Sequence, residues 1–410
     1  MSKSKCCRFC GAELNRTFVD LGRSPLANSF LSSDDLSAGA VAYPLHVYVC
    51  NSCLLVQLQE FERAENIFND YLYFSSYSES WLHHCRNYAN QMTKRYCLGR
   101  DSQVVEIASN DGYLLQYFKQ AGIGVLGVEP AANVARVARE KGIDTDVAFF
   151  GVRTARRLAD AGRSADLMTA NNVLAHVPDL NDFVAGFKIL LKPTGTATFE
   201  FPHLQSLIAD RQFDTIYHEH FSYISLLVAE KVFNHHGLRI YGVDQLPTHG
   251  GSLRIFVCHA EAPFPRTSGV DHIIRGERQV GLDRIDTYDR FAASVVDIKA
   301  DLLSFLIEAR KNRRTVVGYG APAKGNTLLN YCGVGPEFLP YTVDLSPHKQ
   351  GRYLPGVHIP IRSPEHIFET KPHFVLILPW NLKDEITRQM AGIRDWGGKF
   401  VLAIPSLTVL

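Results

Sequence analysis

Val104-Val105-Glu106-Ile107-Ala108-Ser109-Asn110-Asp111-Gly112 is an apolar run that ends in a small, polar turn and opens onto a helix-like pattern over residues 113–121. Working outward, short apolar runs at 104–108, 125–129, 166–170 and 196–201 alternate with helical periodicity at 113–121, 133–141 and 181–191. That alternation predicts an α/β fold, a doubly wound parallel sheet whose ligands lie beyond the carboxyl ends of its strands. Two further apolar runs, 238–243 and 252–258, flank Pro247 and Gly250-Gly251 and predict an antiparallel pair that closes the sheet. A charge-rich stretch over 261–289 precedes a long helix at 288–311. A second alternating series follows, with strands expected at 315–319, 339–343, 374–378 and 399–404. The C-terminal part therefore reads as another doubly wound unit.

The turn departs from the glycine-rich form. A methyltransferase motif would read acidic-x-Gly-x-Gly-x-Gly; after Glu106, Ala108 and Asn110 occupy two of the glycine positions and only Gly112 remains. Seventeen residues after Gly112 the next strand ends in Glu129-Pro130, and an acid there can accept both hydroxyls of a ribose. Together with Asp111 and with Asn171, at the end of the third strand, these residues favour an adenosine-containing cofactor, either S-adenosylmethionine or a dinucleotide.

The N-terminal region is different in kind. Cys7-x-x-Cys10 and Cys50-x-x-Cys53 supply four soft ligands on two tight turns, the donor set of a closed, structural zinc site. The segment between them has only short apolar runs and needs such a staple. The expected division is a zinc-binding domain over 1–75, a cofactor-binding domain over 76–265 and a C-terminal α/β domain over 266–410.

Composition excludes several classes. The 410 residues, 46% of them apolar, suffice for two or three cores, and 43 Lys+Arg against 42 Asp+Glu leave no global field to collect nucleic acid or an anionic membrane. No window approaches a membrane span and no apolar leader is present, while nine cysteines, five of them within the first 53 residues, fit reduced thiols in the cytoplasm. A monomer is the simplest expectation.

Asp214-Thr215-Ile216-Tyr217-His218-Glu219-His220-Phe221 places a phenol, a carboxylate and two imidazoles within four positions, groups suited to acid–base work near neutral pH. His176, after the third strand, would reach the same cleft. At this point the chain resembles, over nearly its whole length, the S-adenosylmethionine-dependent sugar C-3 methyltransferases that act on nucleotide-linked 4-keto-6-deoxysugars of the tetronitrose and virenose type. The matching stretches are Asn110-Asp111-Gly112, Tyr71-Leu72-Tyr73-Phe74-Ser75-Ser76, Tyr217 to His220, Leu246-Pro247-Thr248-His249-Gly250-Gly251 and Gly318-Tyr319-Gly320-Ala321-Pro322-Ala323-Lys324. Several matches in one order are more specific than any alone.

The resemblance implies a zinc domain, a Rossmann-like methyltransferase domain and a related C-terminal domain. It also implies that Tyr71, His176, Tyr217, Glu219 and His220 surround the sugar, with His220 the leading candidate for the base and Tyr217 the next. The chemistry agrees: a 4-keto group acidifies C-3, imidazole at His220 oriented by Glu219 can remove the proton, and Tyr217 and His176 can donate to the oxyanion at C-4. Lys324 and Arg352 are the phosphate candidates for a dTDP- or GDP-linked sugar, with Asn326 on the same turn and His249 and Arg254 facing the cleft. Neither glycine turn has the intact Gly-x-Gly-x-x-Gly of an NAD-dependent oxidoreductase. A zinc-ribbon nucleic-acid or scaffold protein would leave the Tyr/His/Glu cluster without a purpose.

Overall fold

The computed structural model describes residues 5–37, 41–62, 76 and 79–410. Strands β1 (Arg16–Ser24), β2 (Tyr43–Val49) and β3 (Val56–Leu58) form an antiparallel sheet beside the two cysteine turns. The central sheet starts with β4 (Gln103–Ile107), β5 (Gly124–Val128), β6 (Thr145–Asp146), β7 (Ala165–Asn171) and β8 (Leu191–Pro202), all parallel. Next comes β9 (Ser222–Tyr223), which leaves the central sheet and pairs with β3 as fourth strand of the first sheet. The hairpin β10 (Leu238–Leu246) and β11 (Ser252–His259) then closes the central sheet against β8, giving the order β10-β11-β8-β7-β4-β5-β6. The third sheet contains β12 (Val316–Tyr319), β13 (Thr342–Val343), β14 (Ile361–Arg362), β15 (Phe374–Ile377), β16 (Lys399–Leu402) and β17 (Thr408–Val409), in the order β14-β13-β12-β15-β16-β17.

The parallel strands are apolar on both faces because helices cover both sides: β7 and β8 are buried along most of their length. The helices used below are α1 (Glu79–Arg95), α2 (Leu115–Gln120), α3 (Ala132–Glu140), α4 (Leu180–Leu190), α5 (Phe291–Lys311) and α6 (Ala323–Cys332). The central strands and the closing pair agree with the expected positions to within a few residues. The run at 339–343 shortens to Thr342–Val343, since Pro340 has no N–H for a ladder. The sequence pattern missed the N-terminal sheet, helix α1, the two-residue edge strands β6, β14 and β17, and a helix at Ser268–Gln279 within the charge-rich stretch. Among the described residues, no helix is long and apolar enough to cross a membrane.

In both wound units the strand order reverses at a strand that lies between two parallel neighbours: β4 between β5 and β7, and β12 between β13 and β15. A crevice opens beyond the carboxyl end of such a strand. The N-terminal sheet, through β9, lies against the crevice of the central unit.

Candidate active site

The cofactor turn is tightly wound. Ala108, Asn110 and Gly112 all have positive φ (54°, 50° and 77°), so the backbone conformation that glycines usually provide is kept by Ala and Asn at some local strain. A Cβ on Gly112 would lie 2.9 Å from Ile143, which explains why this glycine remains. Glu129, just past β5, accepts the Asn110 N–H and the Ala131 N–H, both at 2.9 Å, and burial raises its pKa. Pro130 lies between those two contacts. Asp111 is almost fully buried, with Lys141 Nζ 2.9 Å from Oδ2 and Ser76 also bonded there. Asn171 ends β7, its Oδ1 3.4 Å from Thr169 Oγ1. Glu106 is wholly buried and neither oxygen has a close hydrogen-bond partner among the described residues; burial pushes its pKa far up, against the pull of the Tyr113 hydroxyl. A poorly satisfied carboxyl beneath a strained turn, with an acid at the next strand end, fits a polar cofactor such as S-adenosylmethionine.

The imidazole cluster lies beside it. The His220 ring is 4.6 Å from His176, edge to face, and 4.0 Å from Tyr217, centroid to centroid. His220 Nδ1 is 2.7 Å from the carbonyl of Thr215. That carbonyl can only accept, so Nδ1 carries the proton and Nε2 presents a lone pair. Burial pushes the His220 pKa well below that of free imidazole, assisted by His176, His249 and Lys324 and opposed by the Thr215 carbonyl. Burial likewise brings His176 and His249 down to about 4. The three imidazoles are therefore neutral at neutral pH. Glu219 behaves oppositely: burial raises it to about 7 while Asn28, from the N-terminal region, holds it down by donating Nδ2–H to Oε1 at 2.6 Å.

Several expectations are corrected. Glu219 does not orient His220; the Thr215 carbonyl does, because the carboxylate is turned to Asn28. Arg254 does not face the cleft. It is 3% exposed and bonded to the buried Glu200 at 2.8 Å, in a network with His84 on α1; against the upward pull of burial, His84 and Arg254 bring Glu200 to about 2. Glu200 also accepts Thr248 Oγ1–H at 2.9 Å and so fixes the turn bearing His249, which adopts φ 55° and lies 3.2 Å from Asn172 Nδ2. Arg352 is exposed, with Asp35 within its field, and Asn326 is buried inside α6, where its Oδ1 accepts from Asn330. Neither is in the imidazole cluster. His218 bonds the Pro44 carbonyl at 3.3 Å and stacks edgewise on Tyr43, a brace to β2. Tyr71 lies outside the described residues.

Lys324 does join the cluster. Its ammonium contacts Asn381 at 2.8 Å and the Trp380 ring at 4.4 Å, and the positive charge reaches His220, His249 and Asp214. Asp214, absent from the sequence candidates, is fully buried; burial raises it to about 6, against Lys324 and the Trp380 indole that donates at 2.7 Å. Thr327 on α6 donates to the Ile216 carbonyl at 2.9 Å. The C-terminal unit thus grips the segment that carries the imidazoles.

The cysteine turns fit zinc. The four Sγ atoms of Cys7, Cys10, Cys50 and Cys53 lie within 4.8 Å of one another, close to the ~3.8 Å edge of a tetrahedron with Zn–S near 2.3 Å. Gly11 and Leu54, each directly after the second cysteine of its turn, both take positive φ (75° and 70°), and Gln57 Nε2–H donates to Cys7 Sγ at 3.1 Å. Arg8, between two ligands, reaches the Pro178 and Leu58 carbonyls and lies over the Phe221 ring, next to His220.

Comparison with known proteins decides the family. The chain is 36% identical over 404 residues to the C-methyltransferase NovU of Streptomyces niveus, covering 98% of this chain and 96% of that one. The chain belongs to the C-methyltransferase family. Three family models match along it: "Putative zinc binding domain" at 7–68, "Methyltransferase domain" at 81–242 and "C-methyltransferase C-terminal domain" at 247–405. A ubiquinone biosynthesis O-methyltransferase of Chelativorans sp. (strain BNC1) is 29% identical over 94 residues, 23% of this chain and 37% of that one. Among solved structures, the PH0226 protein of Pyrococcus horikoshii OT3 gives a TM-score of 0.38 at 15% identity, covering 48% of this chain and 99% of that one. This C-methyltransferase therefore combines an S-adenosylmethionine-dependent methyltransferase fold with a four-cysteine zinc-binding domain. Neither the oxidoreductase nor the scaffold alternative finds support.

Proposed function

We propose that this C-methyltransferase transfers a methyl group to C-3 of a nucleotide-linked 4-keto-6-deoxysugar, through an enolate, in branched deoxysugar biosynthesis. The observation that carries the reading is the neutral His220 ring with Nδ1–H given to Thr215 and Nε2 left to take a proton. Carbon becomes a nucleophile only when a neighbouring carbonyl stabilises the charge left behind. His220 Nε2 removes the C-3 proton, and the electron pair of that C–H bond moves into the enolate, with negative charge at the C-4 oxygen. Tyr217, packed on the same ring, donates to that oxygen and Lys324 adds positive charge beside it, whereas His176 is neutral and gives its one N–H to the Glu219 carbonyl, so it packs on the base without donating to the oxyanion. S-adenosylmethionine, when bound, supplies an electrophilic methyl. Glu129 would hold its ribose and the Asn110 to Gly112 turn its polar tail.

The test is an assay of the purified chain with S-adenosylmethionine and a panel of dTDP- and GDP-linked 4-keto-6-deoxysugars. Methylation at C-3 by wild type is expected. Proton exchange at C-3 with deuterated solvent, in the presence of a non-methylating cofactor analogue, should vanish in His220→Asn. Exchange at the wild-type rate in that variant would assign the base elsewhere, Tyr217 being next.

A further inference from the structure

Asp214 is a fully buried acid that the enolate chemistry leaves unused. It sits in the single turn Phe213–Thr215, which opens the segment carrying Tyr217 and His220. Its Oδ2 accepts the Trp380 indole N–H at 2.7 Å, while its Oδ1 is shut away from solvent with no hydrogen-bond partner among the described residues. A carboxylate left half satisfied in the interior is costly unless a positive charge compensates it. Lys324, near the start of α6, carries that charge. Burial drives Asp214 up to about 6 and Lys324 down from its ordinary value, and each charge opposes the other's shift. The neutral imidazoles of His220 and His249 are the other titratable groups that feel the ammonium.

Trp380 joins the pair. It follows β15 in the C-terminal unit, and the Lys324 ammonium lies over its ring, 4.4 Å from the centroid, while its N–H is spent on Asp214. The edge of the same ring abuts the turn that bears His249: a Cβ added at Gly250 would lie 2.7 Å from Trp380 Cζ3. The next residue, Asn381, accepts from Lys324 Nζ at 2.8 Å, which among the described residues leaves two of the three ammonium N–H groups unspent. Asp214 has no surface with which to touch a sugar, so any part it plays passes through Lys324.

We propose that Asp214, held by Trp380, is a positioning residue that keeps Lys324 a charged ammonium beside the imidazole cluster. Its effect on turnover rests on the reading above, in which Lys324 supports the enolate oxygen; the pairing of the two groups does not. The pairing is therefore read without substrate. Treating the full zinc-loaded chain with formaldehyde and cyanoborohydride at graded pH, with mass spectrometry of the Lys324 peptide, titrates this amine, because only its neutral form reacts. Asp214→Asn should lower the midpoint by about one pH unit or more, with melting temperature and S-adenosylhomocysteine affinity unchanged. An unmoved midpoint overturns the proposal.

Methylation of the 4-keto sugar reads the consequence. Asp214→Asn should lower turnover by about 10–100-fold, the scale of a lost interaction with a charged group, and should add no further loss in a Lys324→Gln background. An equal loss in both backgrounds would make Asp214 merely structural and overturn the proposal. Trp380→Phe keeps the ring and deletes the N–H, so the carboxylate loses a donor that favours its ionised form, and the acid limb of the pH–rate profile should move upward. That displacement should be absent in an Asp214→Asn background, which separates Asp214 from Glu219; if it persists there, Trp380 does not act through Asp214. Should wild type methylate no such sugar, the sugar reading falls, while the labelling titration still decides the pairing.

Discussion

The cofactor turn is made almost entirely by residues 103–131, with Lys141 and Ser76 at its edge, whereas the imidazole cluster is assembled from every part of the chain. Asn28 comes from the N-terminal sheet region, His176 from the turn just past β7, Tyr217 to His220 from the link to β9, His249 from the β10–β11 turn, and Lys324 with Trp380 from the C-terminal unit. A local site survives changes elsewhere as long as its own sheet folds. An assembled site depends on docking between units, so the two should respond differently to the same perturbation.

The largest separation should come from the metal. Structural zinc contributes about 10–16 kcal/mol of apparent binding free energy to domains of this kind. Cys53→Ser is therefore expected to lose metal, by elemental analysis, and most soluble yield. Because Arg8 stands between two ligands and braces Phe221, any soluble zinc-free fraction should lose turnover while it still binds S-adenosylmethionine. Zinc-free protein with full turnover would detach the zinc domain from the assembled site, and well-folded wild type lacking zinc would remove the metal assignment.

His220→Asn comes next, with turnover lower by ~10²–10⁴ and the affinities for cofactor and sugar nucleotide nearly intact, since the lost contact belongs to the transition state. Glu129→Ala addresses the local site alone. It should weaken S-adenosylmethionine binding by about 1.5–3 kcal/mol in calorimetry, with turnover restored by saturating cofactor. If Glu129→Ala instead depressed turnover at saturation, the two sites would not be separable.

The same contrast governs what could be read before the structure. The wound sheets and the cofactor turn were legible because the strand period, the turn and the next acid lie within about thirty residues. The N-terminal sheet was not, since register breaks interrupt the pairing of β1 with β2 and β3 has only three residues, and β6 and β14 have only two residues each, too few to carry a period. In the cluster, the residue types stood out but their partners did not. A backbone carbonyl such as that of Thr215 has no sequence signature, and the Asn28–Glu219 and Trp380–Asp214 contacts span 191 and 166 positions. Arg254 carried a usable sign: an arginine inside the otherwise apolar run Ser252–His259 is buried only if paired, and Glu200 is that pair.

The smallest expected effect tests the most remote member of the assembly. Burial raises Glu219 from 4.5 to about 7, and the Nδ2–H of Asn28 opposes that rise by stabilising the ionised carboxylate. In wild type the native chain keeps a proton between pH 4.5 and about 7 that the unfolded chain has released, so this group's contribution to stability declines as pH rises through that window. Asn28→Ala removes the donor and leaves burial unopposed, which moves the Glu219 titration further up and widens the window on its alkaline side. If the carboxylate is the working form, turnover at neutral pH should fall by about 3–10-fold, the scale of one neutral-donor hydrogen bond, and recover at alkaline pH. A pH–rate profile reads the displaced acid limb, and adding Glu219→Gln to both the wild type and Asn28→Ala should abolish the difference between them. An unmoved acid limb in Asn28→Ala, with zinc content and cofactor affinity preserved, would show that the N-terminal region touches the cluster without tuning it.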